Sequence, residues 1–308
     1  MSNSVRVVCI IVHTKKQGKI MLQNILRVFL LLVVSFSSQA ELDTLSEIGR
    51  PGQSMRVPKD NEFKVCADPD NLPFSNQAME GFENKIAEVL AADLNKELSY
   101  QFWYDRFGFI RNTLKARRCD VLIGMGSSVD MVKTSKPYYR SGHVWIYRKD
   151  SGYDIRDWDS ADLRKGIIGI VDKSPVAQAL YANDLMINAR PYRLMRDLTK
   201  SPGQIVDHLV EGKIDIAIMW GPIGGYWAKE SDVPLEVVLI PEFEDTKLSG
   251  KTYWNISAAV RHGEKDRLKM IEGALERQKD KIMKILDDYG IPHTEPVFNN
   301  PLDGKERK

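Results

Sequence analysis

Asp68, Asp70 and Asn71 stand within four positions of one another, interrupted by Pro69 and followed by Leu72, Pro73 and Phe74. Carboxylates and an amide this close suit three tasks: holding a cation, moving a proton, or gripping a polar ligand. The cation reading fails on spacing, because a calcium loop opening at Asp68 would need a Gly at its sixth position and a Glu at its twelfth. The proton reading lacks partners. His143, His208, His262 and His293 are scattered without metal-ligand spacing, and there is neither a Gly-x-Ser-x-Gly nor a phosphate-binding glycine loop. A dehydratase-like or lyase-like enzyme is the remaining catalytic alternative. The residues themselves therefore point to recognition, with no catalytic residue, metal or cofactor assigned.

The elements around this loop explain its position. Residues 63–67 form a short apolar strand, the loop follows at its carboxyl end, and 81–95 carry Ile86, Val89, Leu90 and Leu94 at helical spacing. Ligands of open α/β sheets bind at the carboxyl ends of strands. A second strand is expected at 98–104, and Arg106-Phe107-Gly108-Phe109 leads into a helix through Ala116. Residues 120–124 read as a wholly apolar, buried strand. Ninety-five positions on, residues 209–221 repeat the pattern of 114–126: helix end, basic turn, Asp, buried strand, glycine loop. Strands alternating with helices make the chain α/β, and the echo makes it two-lobed.

Extended segments at 141–148 and 254–260 flank the second lobe, so the chain crosses twice between lobes and forms a hinge. The first lobe is assigned to 62–146 plus 253–298 and the second to 147–252, with polar tails at 41–61 and 299–308. In the second lobe, strands are expected at 167–171 and 235–240. Ser174 is placed as an N-cap with Pro175 at the first helical position. A final helix runs over 266–289 and stops at Gly290 before Pro292.

Residues 1–40 read as a secretory signal: Arg27, the apolar run 28–36, and the small-x-small site Ser38-Gln39-Ala40. The run is too short to span a membrane, which takes about 20 residues. Residues 1–20 read as an over-called start, since Met21 alone opens a normal signal; a buried N-terminal helix is the alternative. Residue 41 is Glu rather than Cys, so no lipid anchor is expected and the chain reads as a soluble, exported, periplasmic protein. Five of the 44 basic residues and none of the 42 acidic ones fall in 1–40, so the remainder carries three more acids than bases. That balance argues against a nucleic-acid partner. Beyond Cys9 in the signal, Cys66 and Cys119 remain, either bridged, as an oxidising compartment allows, or as two buried thiols. Cys66 is late in its strand and Cys119 early in the next, which could hold them beyond bridging distance.

Several strings carry a family resemblance. They are Cys66-Ala67-Asp68-Pro69 through Leu72-Pro73-Phe74-Ser75-Asn76, Gly81-Phe82-Glu83-Asn84-Lys85-Ile86-Ala87, Gly108 to Leu114, Arg118-Cys119-Asp120-Val121, and Pro137-Tyr138-Tyr139 before the first crossing. The chain resembles class II periplasmic solute-binding proteins over nearly its whole mature length, and more narrowly the methanol-oxidation protein J family. That resemblance implies a two-lobed binding-protein fold. It also implies an association with a periplasmic pyrroloquinoline-quinone alcohol dehydrogenase as partner. The alternative is a receptor that delivers a small solute to an ABC permease.

The departures matter. Amino-acid receptors of this fold clamp the ligand carboxylate with an Arg after the strand at 120–124; here Met131 falls about there. They meet the ligand ammonium with an acid after the equivalent strand of the second lobe; here the loop reads Met219-Trp220-Gly221-Pro222. Around the cleft remain Asp68, Asn71, Phe74, Arg106 and Phe107, with Ser127, Ser128, Tyr138, Ser174 and Trp220. The set suits a small neutral ligand or an inserted peptide side chain. Core packing competes with contact for Phe74, Tyr138, Tyr139 and Trp220, and turn-shaping competes for Asp68 and Asn71. Arg106, flanked by aromatics, is the best single contact candidate.

Overall fold

The computed structural model describes residues 56, 58–105, 107–127, 129–194, 199–242 and 251–298. The signal at 1–40, most of the tail at 41–61, the tail at 299–308, and the candidates Arg106 and Ser128 lie outside the described residues. β1 (Glu62–Ala67) ends in a loop that folds as a small hairpin, β2 (Asp70–Asn71) against β3 (Ser75–Asn76). α1 (Phe82–Asp93) follows and buries Phe82, Ile86, Ala87 and Leu90, a stripe at helical period. β4 (Glu97–Phe102) then pairs in parallel with β1.

The helix expected through Ala116 is a single turn, α2 (Phe109–Asn112). Thr113 Oγ1 donates back to Phe109 O at 2.6 Å, Arg117 takes a left-handed φ of 58°, and the Leu114 carbonyl accepts from Arg261 Nη1 at 3.1 Å instead of continuing a helix. β5 (Leu122–Gly126) and β6 (Lys133–Thr134) lead to β7 (Tyr139–Arg148), the longest strand described.

The second lobe contributes β8 (Ile168–Val171), α3 (Val176–Ala182), β9 (Ala189–Tyr192), α4 (Gln204–Val210) and β10 (Ile216–Trp220). α5 (Gly221–Lys229), β11 (Leu235–Leu239) and β12 (Tyr253–Val260) follow. The long terminal helix expected at 266–289 is two, α6 (Lys265–Arg277) and α7 (Lys279–Asp288). Gln278 breaks it, at φ −104° and ψ 14°, and its Nε2 donates to Asp93 at the end of α1, whose carboxylate also pairs with Arg277.

Two sheets share β7. Tyr139 to Gly142 pair antiparallel with β12, whereas from His143 onward the strand pairs with β10 on one side and, from Val144, with β11 on the other. Hydrogen bonding thus passes between sheets at Gly142 and His143, inside the stretch that sequence reading assigned to the first lobe. The strand orders match: β4, β1, β5, β12 in one sheet and β9, β8, β10, β7 in the other. The sequence echo has a structural counterpart. Asp120 N–H donates to Lys64 O at 2.8 Å as β5 enters beside β1, and Asp215 N–H donates to Ile167 O at 2.9 Å as β10 enters beside β8.

Side chains of β7 alternate, as a strand buried on both faces requires. Trp145 and Tyr147 enter one core with Ile168 and Ile216, while Val144 and Ile146 enter another with Ile205 and Leu209. The first sheet buries Phe63, Val65, Val121 and Ile256 under α1, α6 and α7. Among the described residues, no helix is long and apolar enough to cross a membrane.

Candidate functional site

The loop after β1 is held by the helix it precedes. Pro73 O and Phe74 O accept from the N–H groups of Phe82 (2.8 Å) and Glu83 (2.9 Å), so the loop itself satisfies two of the donors that open α1. Asn84, 1% exposed, accepts from Asn76 N and Gly81 N at 3.1 Å each. Any side chain at Gly81 would collide with the Phe74 carbonyl. Asp68 is buried, and its two carboxylate oxygens accept from Asp70 N–H (2.9 Å) and Asp105 N–H (2.6 Å). It fastens this loop to the one after β4.

Beyond the loop lies a cavity of about 480 Å³. Asn71, Phe74 and Asp105 line it from the first lobe, His143 from β7, and Val171, Ser174, Leu194, Pro202, Ile218, Met219, Trp220 and Ile223 from the second. Four sequence candidates, Asn71, Phe74, Ser174 and Trp220, meet here. Ser174 does not cap α3: that helix opens without a side-chain cap, and the buried Ser174 hydroxyl has no partner among the described residues. Asp68 lines a smaller neighbouring cavity of about 140 Å³ that shares Asn71, Phe74 and Asp105.

The other described candidates are placed elsewhere. Phe107 is 47% exposed and packs edge-on against Tyr104. Ser127 Oγ donates to Asn255 O (3.2 Å) and lies 2.8 Å from Ser257 Oγ, tying β5 to β12. Tyr138 belongs to the core, its hydroxyl donating to Ile123 O at 3.1 Å and its backbone N–H to Ile256 O at 2.9 Å. Met131, at the place of the expected Arg, is exposed and outside the cavity lining. Among the described residues Asp105 is the only charged side chain in that lining.

Sequence reading missed His143. It stands alone in an apolar strand, with no motif about it; the usable signal was a single imidazole in the run 142–147. The ring is 5% exposed, its Nδ1 lies 3.1 Å from Thr252 O, and it packs edge-on against Trp220 and Trp254 at 5.6 and 5.7 Å between centroids. Burial pushes it down to about 4, against the Thr252 hydrogen bond. Thr252 lies on the second crossing, so this ring joins both strands of the hinge.

Glu83 was also missed as a site residue. Its carboxylate sits against Gly124, where any side chain would collide with it, and it lines the smaller cavity. Burial, and then the charges of Asp105 and Asp68, push it up to about 8. The folded chain thus holds a proton that the unfolded chain releases above about pH 4.5, so this share of stability is complete below pH 4.5 and lost as pH rises through 8. Glu83→Gln should gain on the parent by about 3 kcal/mol between pH 5 and pH 8, at about 1.4 kcal/mol per unit, read by urea unfolding at each pH. His143 acts with opposite sign, its share being lost as pH falls from about 6.5 to 4. An advantage that does not change with pH would refute the Glu83 assignment.

Residues 63–291 match the family model of bacterial extracellular solute-binding proteins, family 3. The chain belongs to this family. Within family 3 it is MoxJ-like: it is 28% identical over 260 residues to protein MoxJ of Methylorubrum extorquens, covering 79% of this chain and 84% of that one. Among solved structures, MxaJ from Methlophaga aminisulfidivorans superposes with a TM-score of 0.67 at 31% identity, over 75% of this chain and all of MxaJ. The periplasmic binding protein XoxJ from Methylobacterium extorquens gives 0.63 at 32% identity, over 76% of this chain and all of XoxJ. The fold is accordingly the two-lobed periplasmic binding-protein fold of class II.

Proposed function

We propose that this chain is an exported, periplasmic accessory protein that binds a quinoprotein alcohol dehydrogenase and helps it mature, acting by recognition rather than catalysis. The observation that supports this is the cleft lining. Among its described residues there is no cation for a carboxylate, and β10 runs into Trp220 and Gly221 where an acid would meet an ammonium. A buried zwitterion without partners is costly. The cleft is retained, apolar and aromatic, in a chain similar to MoxJ proteins over most of its length. The family resemblance supplies the partner.

Size-exclusion of the purified protein with apo-dehydrogenase tests the proposal. A co-eluting complex and greater recovery of dehydrogenase activity than in its absence are expected; separate elution with unchanged recovery rejects it. One observation favours a second reading, a receptor delivering a small neutral solute to an ABC permease: a volume of about 480 Å³ is that of a ligand pocket. In that case native mass spectrometry shows a stoichiometric small ligand, and deletion abolishes an uptake activity instead. Under both readings calorimetry shows no micromolar binding of free α-amino acids.

A further inference from the structure

We infer that the floor of the cleft is a built site for a neutral group with an apolar body and one hydrogen-bond donor, typified by a phenolic hydroxyl, which donates to Nε2 of His143. The inference rests on the cleft being the binding surface, as proposed above, and specifies what enters it.

The ring's tautomer follows from its partner. Thr252 O accepts only, so Nδ1, 3.1 Å away, carries the ring proton and Nε2 presents a lone pair. No described residue donates to that nitrogen, and Trp220 and Trp254 take up two sides of the ring with their edges and faces. That nitrogen is open to a donor from outside the chain, and the rest of the ring is held in place by its burial, at 5% exposure, and by its aromatic neighbours. His143 lines the cavity, which is where a donor has room to come from. The second lobe offers another polar atom without a partner, the buried Ser174 hydroxyl, in the same lining.

Charge and shape narrow the occupant further. Burial keeps the imidazole neutral at ordinary pH, so it attracts no anion. Val171, Ile218, Met219 and Ile223 wall the space with apolar surface. What satisfies an acceptor, a hydroxyl and apolar walls together is a neutral alcohol or phenol. That chemistry has two sources, a free aromatic alcohol or a tyrosine side chain presented by a partner protein.

Phenol and anisole separate the hydrogen bond from the apolar contact, since both carry the same ring and only phenol donates. Calorimetric titration of the intact protein is expected to show phenol binding about tenfold tighter than anisole. Phenol should also shift the ¹⁵N resonance of His143 Nε2, while anisole leaves it in place. In His143→Phe the tenfold preference should vanish and anisole binding persist, with a thermal melt confirming the fold. Equal affinities for the two probes in the parent protein, or an unmoved Nε2 resonance at saturating phenol, would overturn the inference without recourse to any variant.

Titrating dehydrogenase against parent and His143→Phe identifies the source. A loss of about tenfold or more places the hydroxyl on the partner, and unchanged dehydrogenase affinity alongside a lost phenol preference places it on a free small molecule. If the dehydrogenase fails to bind even the parent protein, the accessory reading falls while a phenol preference still upholds the site.

Discussion

Asp120→Ala should lower the unfolding free energy by about 3–5 kcal/mol, the range found when one partner leaves a buried ion network. Asp120 is 1% exposed and serves three guanidinium groups. Oδ1 accepts from Arg261 Nη2 (2.9 Å), Oδ2 accepts from Arg56 Nη2 (2.8 Å), and Arg267 Nη1 lies 3.4 Å away. Arg261 is itself buried and also donates to the carbonyls of Leu114 and Cys119, so it cannot swing out to water when the carboxylate is removed. The chain would keep the three arginines and lose the buried carboxylate they share, with Glu62 left to pair with Arg56 and Glu264 with Arg261 and Arg267. Burial works against the Asp120 charge, but the hydrogen bonds from Arg56 and Arg261 and the charge of Arg267 outweigh it and hold the carboxyl below its usual range. This contribution is present above the unfolded value near pH 4 and disappears as pH falls through the folded one. Thermal unfolding at pH 7 should show a midpoint lower by roughly 10 °C for Ala. Asn, which keeps an acceptor oxygen, should cost about 2 kcal/mol. A cost for Ala below about 1 kcal/mol would mean that the arginines find other partners.

The second large effect belongs to Cys66 and Cys119. The structure joins them, with Cα atoms 5.4 Å apart, inside the bridging range. Cys119 escapes the separation expected of two parallel strands because it lies in the turn before β5 and outside the ladder, which Asp120 enters. The bridge closes a sequence separation of 53 residues. Removing that constraint from the unfolded chain should cost about 4 kcal/mol. Urea unfolding of a Cys66→Ala/Cys119→Ala chain, against the parent with and without reductant, measures it. The expected result is that reductant lowers the parent to the level of the variant and leaves the variant unchanged. A chain beginning at Glu41 should show no free thiol after unfolding without reductant. Two free thiols there would exclude the bridge.

How far the fold could be read in advance depended on how local its causes are. Ile86 and Leu90 announce a helix by their own spacing, and the strand, loop and helix at 63–93 formed where expected. The echo between 114–126 and 209–221 was legible because each copy repeats one local event, an Asp entering beside a parallel strand. The failures came from distant partners. The helix stops after Asn112, and the Leu114 carbonyl beyond it accepts from the Arg117 N–H in a turn and from Arg261, far along the chain. The terminal helix breaks at Gln278 because Asp93 is there to receive it. The places of Trp220 and Phe74 after strands were legible, and both line the cavity while also packing against the first core. His143 was not, since its meaning comes from Thr252 and two tryptophans that the fold brings to it. Tyr138 stood open between core and cleft, because nothing local marks which side of a sheet a Pro-Tyr-Tyr turn will pass, and it lies in the core.

The sharing of β7 has a consequence for the order in which this protein can be completed. Residues from His143 to Leu239 form one uninterrupted stretch that supplies β7, β8, β10 and β11 of its own sheet. The other sheet is assembled from both ends of the chain, with β1 and β5 waiting for β12 and for the helices that follow it. During synthesis the inner lobe is therefore able to close while the outer one is still a pair of loose edges. The half that is made first is finished last, a strongly non-local arrangement of the kind that folds slowly. Both cysteines of the bridge lie in that early half, so once oxidised they hold β1 and the entry to β5 together whether or not β12 has paired.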